Sequence, residues 1–204
     1  MPVSHRFRLA ATLVAVLALA LGNACMRSPE EKFAQHMARG MEYLEKANYG
    51  AALIEFKNAQ RAKSTEAEPL YRIAVCHMQR GQAQEAIQAV QQALRLDPNH
   101  VEANLLMARF LVQAGSEDYL PQAEELVNNV LGDQPGNTDA LYVLAATRAR
   151  LGSTADAERL LEEALRGSPE HLLSSMALAR LKLNQGDAAG AEQTLLEAVG
   201  QATD

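Results

Sequence analysis

The sequence predicts an all-α protein built from about ten helices, arranged as five consecutive helix pairs. An internal repeat is the first observation, since Ala52, Ala86, Ala123, Ala157 and Ala191 are spaced by 34, 37, 34 and 34 residues. A small residue also recurs seven positions after each of them, which places both on one helix face two turns apart. Finally, 48% of the residues are hydrophobic but only 4% are aromatic. Small side chains are therefore expected at close helix contacts.

The first 25 residues have the features of a secretory leader. Two arginines precede an apolar run over 9–21, and small residues stand directly before Cys25. An apolar helix of this length extends about 20 Å, whereas a bilayer core is about 30 Å thick. A basic start, a short apolar segment and small residues are typical of a cleaved signal peptide. We predict that 1–24 is this signal and that 25–32 is a short tether.

The leader resembles a bacterial lipoprotein signal, in which the Cys that follows the cleavage site is lipidated. This resemblance implies that Cys25 attaches the chain to a membrane through a lipid. The alternative is an ordinary secretory signal whose mature chain begins at that Cys.

Charge and cysteine content exclude several classes of protein. Removing the leader takes away two of the 19 basic residues and none of the 25 acidic ones, so the net charge changes from −6 to −8. Nucleic-acid binding modules need a positive surface, so none is predicted. Two cysteines form neither a disulfide scaffold nor a Cys-rich metal site, and lipidation of Cys25 would leave Cys76 as the remaining thiol.

Glycine and proline positions predict where the helices of each repeat end and begin. A small residue, usually glycine, stands before each second helix, where a left-handed conformation ends the first helix. A proline closes three repeats and is expected in the first turn of the next helix, preceded by the capping residues Asp97 and Ser168. Ser28, Pro29 and Glu31 predict a capping box. The helix-ending residues are Ala47, Gly81, Gly115, Gly152 and Gly186, and the closing residues are Ser64, Pro98, Pro135 and Pro169.

These positions together resemble the tetratricopeptide repeat. The best copy, 67–100, has Leu70, Ala74, Gly81, Ala86, Ala93 and Pro98 in place. The resemblance implies a right-handed superhelical solenoid of antiparallel helix pairs over 33–204. The predicted repeats are 33–66, 67–100, 101–137, 138–171 and 172–204.

No catalytic, metal or cofactor site is predicted. Motifs for a serine nucleophile, a phosphate loop or a zinc protease are missing from the sequence. The histidines at 36, 77, 100 and 171 are spread along the chain, and none has a second ligand three or four residues after it. Cys76 is interpreted as a buried small thiol rather than a nucleophile paired with His77.

The first helices of such a superhelix line its inner, concave surface, where a partner's peptide segment is expected to bind. Methionine adapts to varied apolar side chains, and arginine pairs with carboxylates or backbone carbonyls. The alternative is that these are ordinary half-buried residues of a tightly curved solenoid. By alignment with the family, the groove candidates are Met37, Met41, Tyr71, Met78, Leu105, Arg109, Tyr142, Met176 and Arg180.

Two further features concern the edges of the solenoid. The third repeat has three extra residues within 116–121, which predict either a longer turn or a longer second helix, with Tyr119 and Leu120 at an edge.

The last helix is expected over about 188–199, with Leu195 and Val199 on a face that no further repeat covers. Self-association through that face is predicted, the alternatives being docking onto another protein and a truncated member of a longer family.

The tetratricopeptide resemblance implies a non-enzymatic scaffold that binds other proteins. With a lipid anchor, it would face the periplasm, on the outer membrane. The segment 49–59 resembles the first repeat of lipoproteins tied to exosortase (PEP-CTERM) and exopolysaccharide systems, and the size is similar to that of the lipoprotein pilotins of type IV pilus assembly. The alternative is a soluble periplasmic adaptor or regulatory subunit of an envelope enzyme, such as a cell-wall hydrolase or a cytochrome assembly factor.

Overall fold

A computed structural model describes residues 28–202, and they form ten α-helices, one 3₁₀ turn and no strand. The all-α prediction is confirmed, whereas the leader and Cys25 lie outside the described residues. The helices are α1 (Pro29–Glu45), α2 (Tyr49–Ala62), α3 (Glu68–Gln79), α4 (Ala83–Leu96), α5 (Val101–Ala114), α6 (Leu120–Asp133), α7 (Thr138–Arg150), α8 (Thr154–Gly167), α9 (Leu172–Asn184) and α10 (Ala188–Ala202).

The helices form a superhelix with two layers. Each helix contacts the next one along the chain, and α5 also contacts α7, as α7 contacts α9. The even-numbered helices make no comparable contact with one another within the described residues. Helices on the inside of a curve lie closer together than those outside, so the odd-numbered helices form the concave layer.

The repeating alanines are buried at the start of the second helix of each pair. Ala52, Ala86, Ala123 and Ala157 are fully buried, and Ala191 is 2% exposed. The small residues seven positions later are also buried. A side chain without rotatable bonds lets two backbones approach while losing no side-chain entropy, which explains the low aromatic content.

The residues predicted to end the first helices do so in the left-handed conformation. Their φ angles are 54° at Ala47, 73° at Gly81, 78° at Gly115, 79° at Gly152 and 86° at Gly186. The first repeat departs from the others because Ala47 has a Cβ, which makes this conformation less favourable by about 1–2 kcal/mol.

The prediction that each closing proline begins the next helix is wrong. Each proline is instead the second residue of a β-turn, in which the N–H group of the fourth residue donates to the first carbonyl. His100 N lies 3.2 Å from Asp97 O, and Asn137 N and His171 N close equivalent turns. Proline is favoured at that position because its φ is already fixed. Helices α5, α7 and α9 begin three residues after Pro98, Pro135 and Pro169.

The helix caps differ accordingly from those predicted. His100, Asn137 and His171 cap α5, α7 and α9, each accepting a hydrogen bond from a backbone N–H group. Asp97 accepts from Asn99 N within the turn, and the hydroxyl of Ser168 lies 3.0 Å from that of Thr138. Neither therefore caps a helix. At α1, Ser28 and Glu31 form the predicted capping box.

The three extra residues of the third repeat form the 3₁₀ turn Glu117–Tyr119, directly before α6. Tyr119 is 43% exposed, but Leu120 is 2% exposed and part of the core. The expectation that Leu120 stands at an edge is therefore wrong, since the 3₁₀ turn directs it inward at the start of α6.

His100 also links the start of α5 to α3 through a hydrogen bond to Glu68, which becomes an ion pair when the imidazole is protonated. Its Nε2 lies 2.9 Å from Oε2 of Glu68, its Nδ1 is 3.3 Å from Glu102, and the Tyr71 ring packs beside it. The hydrogen bond to Glu68 raises the pKa of His100 despite its burial, with smaller contributions from Glu102 and Asp97. That same bond, opposed by burial and aided by Arg72, lowers the pKa of Glu68.

We predict that this pair makes stability depend on pH. Because folding raises the pKa of His100, its contribution to stability is fully present below its pKa in the unfolded chain, which is about 6.5. That contribution is lost as the pH rises through the pKa of His100 in the folded protein. Because folding lowers the pKa of Glu68, its contribution to stability is fully present above its pKa in the unfolded chain, which is about 4.3. That contribution is lost as the pH falls through the pKa of Glu68 in the folded protein. Urea unfolding should therefore show that His100→Gln costs more at about pH 5.5 than at about pH 8.5. An equal cost at both pH values contradicts this prediction.

Candidate functional site

A cavity of about 650 Å³ opens on the concave surface between α5 and α7, with contributions from α3 and α9. Four of the nine groove candidates meet there: Met78, Arg109, Tyr142 and Arg180. The other lining residues are Leu106, Phe110, Val112, Gln113, Val143, Ala146 and Arg150.

The other five candidates lie elsewhere. Met37, Met41 and Tyr71 are half-buried and pack against the hydrophobic cluster of the first two repeats. Met176 is 55% exposed and does not line the cavity. Leu105 is 3% exposed and belongs to the core, so its assignment to the groove is wrong. It is buried because α5 and α7 contact each other directly.

The cavity also contains residues that the sequence analysis missed. Tyr142, Ala146 and Arg150 follow one another at intervals of four along α7, as do Arg109 and Gln113 along α5. This spacing places them on one helix face. Extending Tyr142 by two turns along α7 would have identified Arg150.

The three arginines of the cavity differ in the hydrogen bonds and ion pairs that they make. Arg150 Nη2 donates to the carbonyl oxygen of Val112, 2.9 Å away. Arg109 Nη2 lies 3.4 Å from Asp139 Oδ1, while its buried Nε has no hydrogen-bond partner among residues 28–202. Arg180 is exposed and makes no hydrogen bond or ion pair with the described part of the chain. The cavity thus offers positive charge and hydrogen-bond donors.

Cys76 is fully buried, as predicted. Burial raises the pKa of its thiol to about 11, so the sulfur stays protonated at neutral pH. The neighbouring His77 contacts Gln82 instead, with Nδ1 2.9 Å from Oε1. Cys76 and His77 therefore do not form a nucleophile and base.

Metal binding and membrane insertion each need recognisable features of their own. Within 28–202, no three His, Cys, Asp or Glu side chains converge as a metal site. None of the helices in that range combines the length and hydrophobicity needed to cross a membrane.

Comparison with protein-family models gives three matches, all to tetratricopeptide repeats. The tetratricopeptide domain of cytochrome c-type biogenesis protein H matches 70–170, and two further repeat models match 37–101 and 148–204. No curated protein sequence matches the chain.

Solved structures share the fold at low sequence identity. A thermophilic tetratricopeptide protein of Thermus thermophilus has a TM-score of 0.73 and 22% identity, over 84% of this chain and 92% of that one. PilF of Pseudomonas aeruginosa has a TM-score of 0.71 and 17% identity, over 84% and 77%. PilW, described as a type IV pilus biogenesis factor, has a TM-score of 0.74 and 19% identity, over 84% and 78%.

These structural similarities establish the architecture, and the family models identify the repeat. The three models together span 37–204 and coincide with the helix pairs observed there. The chain is therefore a tetratricopeptide-repeat protein.

Proposed function

We propose that the chain is a non-enzymatic scaffold that holds an extended segment of a partner protein in the cavity between α5 and α7. The observation that carries this proposal is the cavity itself, where Met78 and Tyr142 meet three arginines on the concave surface. Tetratricopeptide repeats are generally protein-interaction modules, and solenoids use their concave surfaces for binding. An open cleft lined by flexible apolar and cationic side chains suits a peptide.

The scaffold acts at the periplasmic face of the bacterial envelope, anchored to the outer membrane through a lipid on Cys25. The basis is the lipoprotein-type leader. Two residues separate Cys25 from Ser28, which caps α1, so the solenoid would lie close to the membrane surface.

Metabolic labelling with a palmitate analogue tests the anchor. We expect the wild-type protein to be labelled and recovered with membranes, and Cys25→Ala to be unlabelled. An unlabelled wild-type protein in the soluble periplasmic fraction would contradict the anchor.

The system served is proposed to be export, exopolysaccharide or pilus assembly. The segment 49–59 supports the first two through its resemblance to exosortase-associated lipoproteins. The shared fold with PilW, a pilus biogenesis factor, and the similar size support the third.

A second candidate function is that of a soluble periplasmic adaptor for an envelope enzyme. The match of 70–170 to the tetratricopeptide domain of cytochrome c-type biogenesis protein H favours it, because that domain belongs to a cytochrome biogenesis protein. The labelling experiment separates the two candidates, since the adaptor needs no lipid.

We predict that Met78→Glu or Tyr142→Ala weakens partner binding while leaving stability nearly intact. Both side chains are half-buried, since they pack against the hydrophobic clusters on one side and line the cavity on the other. Binding is measured with the partner segment, and stability by urea unfolding. Variants that bind normally but unfold easily would show that these side chains serve packing.

We also predict that the lipid-free protein self-associates at micromolar concentration through α9 and α10. Leu183, Leu195, Leu196 and Val199 are 55%, 40%, 64% and 62% exposed, and they line an apolar cleft of about 350 Å³. Exposed apolar surface of this kind favours association. Leu195→Glu should reduce it in sedimentation velocity, whereas Leu151→Glu, at another exposed leucine, should not. A strict monomer at high concentration would reject the prediction.

A further inference from the structure

We infer that the cavity selects acidic segments, in which acidic side chains about three residues apart alternate with bulky apolar ones. The inference rests on the proposed function, because it names the chemistry of the segment that occupies the same cavity.

The charge on the cavity wall is opposite to that of the whole chain. Every charged side chain that the structure places on this wall is an arginine, at 109, 150 and 180, whereas the chain has a formal net charge of −6. A cleft lined by one sign of charge concentrates ligands of the other sign. An acidic segment is thus attracted to the cavity and repelled by the rest of the surface.

Two of these arginines have donors available to a ligand. The side chain of Arg109 is 40% exposed, so a ligand in the cavity can contact it, and its buried Nε has no acceptor among residues 28–202. Its contact with Asp139 is long, at 3.4 Å, and Asp139 also lies 3.6 Å from His171 Nε2. Arg180 is exposed and forms no hydrogen bond or ion pair within residues 28–202. Carboxylates pair with guanidinium groups through charge-assisted hydrogen bonds.

The positions of the arginines indicate acidic side chains in series rather than one chain-terminal carboxylate. They lie on three successive concave helices, α5, α7 and α9. Packed helices are about 8–10 Å apart, and a chain in the polyproline II conformation advances about 3.1 Å per residue with about three residues per turn. Neighbouring cations therefore match acidic residues about three positions apart, which lie on one face of such a chain.

The apolar part of the wall specifies the residues between the acids. Met78, Phe110 and Tyr142 line the cavity beside the arginines. Methionine adapts to ligands of varied shape, and aromatic rings provide large contact areas. Leucine or phenylalanine side chains of the segment fit this surface.

Fluorescence anisotropy with the full chain in detergent micelles tests the inference. The labelled probe is a peptide blocked at both ends, with glutamate at every third position separated by leucine and phenylalanine. Matched peptides carry glutamine or lysine instead, and a fourth carries glutamine with a free C-terminal carboxylate. We expect the glutamate peptide to bind at least tenfold more tightly than all three, and added salt to reduce this difference.

Variants assign the preference to named side chains. Arg109→Gln and Arg180→Gln should each reduce the ratio of glutamate to glutamine affinity at least threefold. Arg180 is exposed, so its variant keeps the test valid if Arg109→Gln does not fold. Arg159→Gln is the matched control, because Arg159 is exposed on α8 and pairs with Glu163 outside the cavity. It should leave the ratio unchanged.

The outcomes separate this inference from the proposed function. If the glutamate and glutamine peptides bind equally well and Met78→Glu weakens both, acidic selectivity is overturned. Peptide binding in the cavity would then still be supported. If the peptide with the free C-terminal carboxylate binds most tightly, the cavity recognises a chain terminus, and the inference of acidic side chains in series is overturned. No binding of any peptide would overturn both.

Discussion

Phe56→Ala is expected to lower the free energy of unfolding by about 3–5 kcal/mol, the largest effect of any substitution considered. Phe56 is the largest fully buried side chain of the described residues, and it lies in α2 against α1. Its ring occupies the space beside Gly40, where a Cβ would overlap it. Urea unfolding measures the cost, and a change below about 1 kcal/mol would contradict this packing.

Gly40 supplies the matched test of the same contact. Alanine favours a helix over glycine by about 1 kcal/mol, yet Gly40→Ala should destabilise by about 1–3 kcal/mol because of the overlap. Adding Phe56→Leu should recover part of this loss, since a smaller side chain makes room for the Cβ. Strictly additive costs in the double-mutant cycle would show that the two positions do not interact.

Ala86→Leu is expected to have the second largest effect, destabilising the protein by about 1–3 kcal/mol. Ala86 is fully buried in α4, whose close contact with α3 leaves no space for a larger side chain. Ala83→Leu is the control, because Ala83 lies exposed at the start of the same helix. It should change stability by less than about 0.5 kcal/mol. Equal melting temperatures for wild type and Ala86→Leu would contradict the repeat alignment.

The fold could be predicted because several independent positions in each repeat agree. A buried alanine, a second small residue two turns later and a left-handed glycine each restrict the backbone in a different way. Gly81 and Ala86 illustrate this, since one ends α3 and the other packs α4 against it. Agreement between local and tertiary requirements is typical of sequences that specify one structure.

The helix starts could not be predicted equally well. Proline fits both the first turn of a helix and the second position of a β-turn, because both need the same φ. Pro98 is therefore ambiguous on its own. The distinguishing signal was the column of His100, Asn137 and His171, whose side chains cap the helices that follow.

The candidate site was predicted in part because it depends on distances between helices. Helix spacing shows which residues share a face, and it placed Arg109 and Tyr142 on the inner side of α5 and α7. It does not show how closely the two helices approach. That approach buries Leu105 and leaves a cavity around Phe110 and Ala146.

Site-specific photocrosslinking in cells tests the central claim most directly. A photoreactive phenylalanine analogue at Tyr142 lies in the cavity, whereas the same analogue at Arg159 lies on the exposed face of α8. We predict a discrete crosslinked protein at position 142, lost when Met78→Glu is added, and none at position 159. Crosslinking that is equal at both positions, or missing at 142 while the protein is present and folded, would contradict a partner segment held in the concave cavity.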